Sequence, residues 1–502
     1  MVAALALGLV ACAKTEGTEE TEEKGVKVGM VTDAGTIDDK SFNQGTWEGV
    51  LKYKDHNPNA EVQYLMPTGE TTQDYLEAID NLAMTGVEVM VLPGFKFEEA
   101  LGVAQEKHPE IKFVAIDAEP LVGVDDHGNP KYEVADNTVS VFFAEQQASF
   151  LAGVATALET QTNKVAFLGG MEIPAVQKLG WGFVAGIAYA NANLGADVEV
   201  TDYIYQGTFT DLDAGKAIAA GVYDKGVDVV FAAAGGVGVG AINEAKTRAE
   251  DGNEVFIVGV DVDQYDEGLL TNRNSVILTS AMKYLGQAAY DQINAYANDE
   301  FEGGRTILMD VNANGVGLPK VNPNLSDETI KQVNEAAEMI KMGEIEVPKT
   351  KDGLISFLEE MDCDFGNLGY LKTNFKGVVN MEINNLPILG KTMRRAWRGE
   401  YWGNDALYFE QEDGVQFVLT HIQDCCEDVE IESIDGELDD LIGAPLLMAE
   451  ETVKVGDEPS LESCTWTFYK FATVKGYVTV RFLGWSNGYY SERVYGFYLS
   501  EE

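Results

Sequence analysis

Between residue 25 and about residue 350, short apolar runs rich in β-branched residues alternate with longer stretches of helical period. The runs are Val26–Val31, Val87–Leu92, Lys112–Asp117, Lys164–Leu168, Val227–Phe231 and Val255–Asp261. Stretches such as Tyr75–Thr85, Phe143–Leu158 and Gly180–Leu194 fit helices between them. Near-continuous apolar strands separated by helices predict parallel sheets covered on both faces. The pattern also echoes itself. Val89–Gly94 leads through a helical stretch to Phe113–Asp117, and Val229–Gly236 leads in the same way to Phe256–Asp261. Each half thus holds a strand, a glycine turn, a helix and a strand that ends in Asp. Two such α/β lobes would bring these strand ends to a shared cleft, because open parallel sheets bind ligands beyond their carboxyl ends.

The flanks read differently. Val2–Ala11 is an apolar run, too short to span a bilayer and suited to the hydrophobic part of an export signal. Leu9-Val10-Ala11-Cys12 resembles a bacterial lipobox, which implies lipidation of Cys12 and release of the preceding residues. No Lys or Arg precedes the apolar run, a departure from that pattern. Thr15–Lys24 is acidic and has no large apolar side chain, so it reads as a disordered tether. After Met361 the α/β pattern stops. Residues 362–380 read as a linker, and 381–502 as a separate aromatic-rich domain, β-rich or α+β, with strand-like runs at Gln416–Thr420, Thr465–Phe471 and Tyr477–Phe482. That domain faintly resembles small phage-type proteins of unknown function. Met381 is also a candidate start codon, so a natural fusion and a join of two reading frames both stay open. The expected domains are 1–24, 25–361 and 381–502.

Composition narrows the function. Among 502 residues, 83 acidic side chains face 35 basic ones, a formal charge of −48 that argues against nucleic-acid binding. Cys12 stands alone until Cys363, so no disulfide framework or thiolate metal site is expected in the lobes. His421-x-x-Asp424-Cys425-Cys426 lacks the spacing of a metal knuckle, and no metal is expected there. No nucleophile or metalloprotease motif is present and no cofactor is implied, so catalysis is not expected. One motif points the other way. Gly236-Val237-Gly238-Val239-Gly240-Ala241 follows a strand, and Asp261 lies further on, which together match a dinucleotide fingerprint. Its plain reading is a glycine turn that packs closely. A dinucleotide-dependent enzyme is therefore the alternative.

A specific resemblance lies in Val31-Thr32-Asp33-Ala34-Gly35-Thr36-Ile37-Asp38-Asp39-Lys40-Ser41-Phe42-Asn43-Gln44-Gly45. It resembles the opening signature of the basic membrane lipoprotein family, whose members are substrate-binding proteins of ABC importers. Phe167–Pro174, Tyr205–Asp211, Ala233–Gly238, Val258–Gln264 and Leu278–Lys283 are similar to later blocks of that family, in order. The resemblance covers residues 25–350. It implies the type I periplasmic-binding-protein fold, two Rossmann-like lobes joined by a hinge, and a nucleoside ligand, purine first. Carried over by position, Phe42 and Phe209 sandwich the base, where stacking contributes about 1–3 kcal/mol per base. Asn43 and Asp117 bind the base edge, Asp33 is a cleft carboxylate, and Asp261 and Lys283 hold the ribose. Ser41 and Gly235 are weaker carry-overs. Asp38 and Asp39 read as acids at a helix start rather than as ligand-binding residues. The resemblance further implies a permease and an ATPase as partners, and a lipid anchor at the outer face of the cell membrane. A sensor or adhesin built on the same fold is a further alternative.

Overall fold

A computed structural model describes residues 25–33, 35–124, 130–363, 388–401, 404–412, 414–421, 428–455, 463–486 and 494–499. Cys12, the tether, most of the expected linker and the residues between His421 and Asp428 lie outside these. The chain divides into two compact units between Cys363 and Asp364.

The strands of the first unit run in chain order. They are β1 (Lys27–Val31), β2 (Glu61–Leu65), β3 (Val89–Pro93), β4 (Lys112–Ile116), the hairpin β5 (Leu121–Val124) and β6 (Pro130–Tyr132), and β7 (Thr138–Phe143). They continue with β8 (Lys164–Gly169), β9 (Glu199–Tyr205), β10 (Val229–Ala233), β11 (Phe256–Asp261), β12 (Ile277–Lys283), β13 (Arg305–Met309) and β14 (Val316–Gly317). One sheet has the order β13-β7-β4-β3-β1-β2, and the other β14-β12-β11-β10-β8-β9. All neighbours are parallel except β12 and β14, which are antiparallel. The two orders superpose position by position, so the weak internal echo in the sequence is a repeated lobe.

Burial explains the apolar runs. Every residue of Val89–Pro93 and of Val229–Ala233 is buried, as helices on both faces require. The edge strand Glu61–Leu65 has no fully buried residue. The chain passes between lobes three times. After β7, the helix Glu145–Glu159 packs on Pro174–Asn193 in the second lobe. After β12, the helix Leu285–Ala297 returns to pack on Phe42–His56 in the first. The segment between β13 and β14 is the third crossing. Hydrogen bonds tie the crossings together, from the Ala144 N–H to the Met309 carbonyl (3.0 Å) and from the Tyr284 N–H to the Gly315 carbonyl (2.9 Å).

The second unit holds β15 (Met393–Tyr401), β16 (Asn404–Gln411), β17 (Gln416–His421), β18 (Asp428–Asp435), β19 (Met448–Val455), β20 (Ser463–Ala472), β21 (Tyr477–Ser486) and β22 (Val494–Leu499). These form two antiparallel sheets, β15-β16-β17-β22 and β18-β21-β20-β19. Leu407, Phe409, Phe417 and Leu419 of one sheet share a core with Tyr469, Phe471, Val478 and Phe482 of the other. Among the described residues this unit has a single 3-10 turn and no α-helix, so of the two expected architectures the β-rich one holds. No group of residues able to hold a metal occurs among the described residues.

Candidate ligand-binding cleft

The two lobes meet where their sheets end. Asp117 follows β4 and Asp261 ends β11, equivalent places in the repeat. Both have left-handed backbones, with φ of 51° and 65°. That conformation costs a side-chain-bearing residue energy, about 1–3 kcal/mol, and is found where surroundings enforce it, often at functional sites. Here the enforcement is visible. The Asp117 N–H donates to the Val141 carbonyl at 2.9 Å, and the Val260 N–H donates to Gln264 Oε1 at 3.0 Å.

Lys283, the last residue of β12, joins the two aspartates. Its Nζ lies 2.8 Å from Asp117 Oδ2 and 3.2 Å from Asp261 Oδ1. Only 5% of the lysine is exposed. Burial by itself would depress its ammonium, but the carboxylates of Asp117, Asp261 and Glu145 outweigh that and hold it above the ordinary lysine range. The same Nζ lies 4.6 Å from the centre of the Phe42 ring and 5.9 Å from that of Phe143. Ser41 Oγ donates to Asp261 Oδ2 at 2.5 Å, across the lobes. Ser41, Phe42, Asp117, Asp261 and Lys283 thus form one connected group.

Asp33 and Asn43 sit beside it in the first lobe. Asn43 Nδ2 donates to Asp33 Oδ1 (2.8 Å) and to Asp39 Oδ2 (2.9 Å), and its Oδ1 accepts the Asp33 N–H at 3.2 Å. Asn43 is buried, and these bonds run to its own lobe. Burial pushes the Asp33 carboxyl up, against the pull of the Asn43 amide and the Gly35 N–H. Asp39 accepts the N–H groups of Ser41, Asn43 and Gln44, so it caps the helix Phe42–His56 from two residues before its N-cap, Ser41. Asp38 accepts a local bond from Thr36 Oγ1.

Phe209 and Gly235 lie in the second lobe. A Cβ at Gly170 would come within 2.4 Å of the Phe209 ring, and the Gly236 N–H donates to the Phe209 carbonyl at 2.7 Å. Gly235 has φ of 55°, directly before the helix Gly236–Glu250. The described contacts do not join Phe209 to the Lys283 group.

Two residues near the centre were not singled out as site residues by the sequence. Glu145 is 1% exposed and pairs with Lys178 Nζ at 3.5 Å. Burial pushes its carboxyl up to about 7; Asp117 adds to this, while Lys178 and Lys283 oppose it. An acid in the first turn of a helix is ordinary, so Glu145 carried no signal. Gln264 is the other, at the end of a block the sequence had already marked.

A family model described as ABC transporter substrate-binding protein PnrA-like matches residues 26–351. The chain belongs to that family. The PnrA-like part resembles a CD4+ T-cell-stimulating antigen of Listeria innocua, 32% identical over 70% of this chain and 96% of the relative. It also resembles the ABC transporter nucleoside-binding protein BmpA of Lactococcus lactis, 30% identical over 66% and 92%, and basic membrane protein B of Borreliella burgdorferi, 32% over 62% and 86%. Among solved structures it is similar to an ABC transporter solute-binding protein from Aeropyrum pernix, with a TM-score of 0.57, 25% identity, and 68% of this chain and 98% of that one covered. Residues 376–495 match a domain of unknown function, DUF7448.

A PnrA-like protein binds a substrate for transport and is not an enzyme, which removes the dinucleotide alternative. The glycine run has another use. A Cβ at Gly240 would lie 2.0 Å from the Leu212 carbonyl oxygen, and one at Gly215 would lie 1.9 Å from that of Val237. These glycines let the helices Leu212–Asp224 and Gly236–Glu250 touch backbone to backbone.

Proposed function

We propose that the first unit captures nucleosides, purine nucleosides first, between its lobes and passes them to an ABC permease, while lipid on Cys12 holds the chain at the outer face of the cell membrane. The observation that carries this reading is the buried Asp117–Lys283–Asp261 bridge beside Phe42. A ribose offers hydroxyls that both donate and accept, which suits the carboxylate of Asp261 and the ammonium of Lys283. A base offers a flat face to an aromatic ring. The name of the Lactococcus lactis relative supports the same ligand class. In this reading Phe209 supplies the second ring, Asp33, Asn43 and Asp117 serve the base, and Ser41, Gly235, Asp261 and Lys283 serve the sugar side.

The lobes would close on the ligand by the hinge at the three crossings. A buried carboxylate left without its hydroxyl partner is costly, so ligands lacking a ribose hydroxyl should be rejected. Calorimetric titration of the whole chain with guanosine, adenosine, inosine, uridine and the free bases tests this. Micromolar or tighter nucleoside binding that Phe42→Ala or Asp261→Ala removes is the expected result. No binding across the panel would sink the nucleoside claim. Membrane release of a Cys12→Ser variant tests the anchor.

A further inference from the structure

Besides Ser41 and Asp261, another contact crosses the cleft, and it runs through a side chain with no ligand role assigned. Gln264 is 3% exposed. Within its own lobe its Oε1 accepts the Val260 N–H (3.0 Å), and its backbone N–H donates to Ser280 Oγ (3.1 Å). Its Nε2 donates to the Lys40 carbonyl of the other lobe at 2.7 Å. Lys40 is itself left-handed, with φ of 60°, as Asp261 is at 65°. The residue after Lys40 is Ser41, which donates to Asp261. Two consecutive residues of the first lobe are therefore gripped by Gln264 and Asp261 of the second. Lys40 Nζ also lies 3.4 Å from Glu267, but both side chains are partly exposed and such a pair contributes little.

We infer that Gln264 is a positioning residue for ligand capture, whose amide shapes the Asp261 turn with one end and latches the opposite lobe with the other. The two ends have different fates when the lobes part. Oε1 keeps Val260, because that bond is internal to one lobe. Nε2 and the Lys40 carbonyl lose each other and are left to water. The amide therefore favours the closed arrangement over the open one, while Asp261 keeps its geometry in both. Its effect should fall on ligand escape rather than on encounter, since encounter happens in the open form. Only the choice of ligand in the test rests on the nucleoside reading.

Two variants of the full chain separate the two ends. Gln264→Glu keeps an oxygen for the Val260 N–H but sets a carboxylate oxygen against the Lys40 carbonyl. Gln264→Met removes both bonds. Stopped-flow kinetics with the tightest nucleoside of the panel should show Gln264→Glu releasing ligand about tenfold faster, with association changed by less than about threefold. Gln264→Met should lose on both. Hydrogen exchange of the ligand-free chain gives a readout independent of any nucleoside. Peptides spanning Lys40 and Asp261 should exchange faster in Gln264→Glu than in wild type, with distant peptides unchanged. Failure of wild type to bind any nucleoside would overturn the ligand reading, and the exchange result would still decide the latch. A folded Gln264→Glu chain with wild-type release and wild-type exchange overturns the inference, and so does a slower association with unchanged release. If Gln264→Met does not fold, the Gln264→Glu result stands alone.

Discussion

The two lobes share a strand order, and each carries a left-handed aspartate beyond the same strand, yet they supply different chemistry to the cleft. At the end of the next strand in the sheet, the second lobe has Lys283 where the first has Phe143. The lysine reaches back over two phenylalanines of the first lobe, Phe42 and Phe143. Asp261 holds Ser41 as well as Lys283, while Asp117 Oδ1 has no hydrogen-bond partner among the described residues. The repeat provides the frame, and the site arises where the copies differ. A single ammonium between two equivalent carboxylates cannot be built symmetrically.

The largest test of that asymmetry is Lys283→Met. It strands two buried carboxylates, so stability should fall by about 3–5 kcal/mol in denaturant unfolding. Nucleoside affinity should fall by about 100-fold. A variant as stable as wild type would mean the aspartates are better solvated than their burial indicates.

The two aspartates should then behave differently. Asp261→Asn tolerates the left-handed backbone but weakens the bonds to Ser41 and Lys283. Affinity for every nucleoside should drop by about 1–3 kcal/mol, and the preference over deoxynucleosides should shrink. Asp117→Asn should instead reorder the bases. Titration of both variants against the same panel decides this, and identical profiles would make the lobes interchangeable.

Glu145, at the crossing after β7, gives stability a pH dependence. Its carboxyl is held up at about 7, chiefly by burial. Between the ordinary glutamate range and about pH 7, the folded chain keeps a proton that the unfolded chain has released. Stability therefore falls as pH rises through that window and is flat with respect to this group above it. Glu145→Gln should reduce the slope and gain about 1–3 kcal/mol above pH 7, the remaining slope belonging to Glu98, whose carboxyl burial also pushes up to about 7. Thermal unfolding across pH 5 to about pH 8 measures it. A less stable Gln variant would show that Lys178 and Lys283 need the carboxylate.

The smallest expected effect lies away from the cleft. Thr71 caps Thr72–Ala83 in the first lobe and Asp211 caps Leu212–Asp224 in the second, each through its side-chain oxygen. Thr71→Ala and Asp211→Ala should each cost about 1 kcal/mol of stability and leave affinity unchanged. A change in binding for Asp211→Ala alone would show that the turn carrying Phe209 depends on that cap.

The sequence by itself determined three inner strands of each sheet, helices between them and the repeat. Parallel strands buried on both faces must be apolar throughout, and helices that cover them must be periodic. It also marked Asp117 and Asp261, because a charge at the end of an apolar strand is conspicuous. Only the tertiary structure decided what those charges meet. Ser41 and Asp261 are separated by 220 residues, Gln264 and Lys40 by 224, and Lys283 and Asp117 by 166. Glu145 looked like an ordinary first-turn acid, and Gly240 like part of a phosphate loop. Local pattern reports how a residue suits its own element. Whether a carboxyl is buried, paired or strained depends on which distant backbone the fold brings against it.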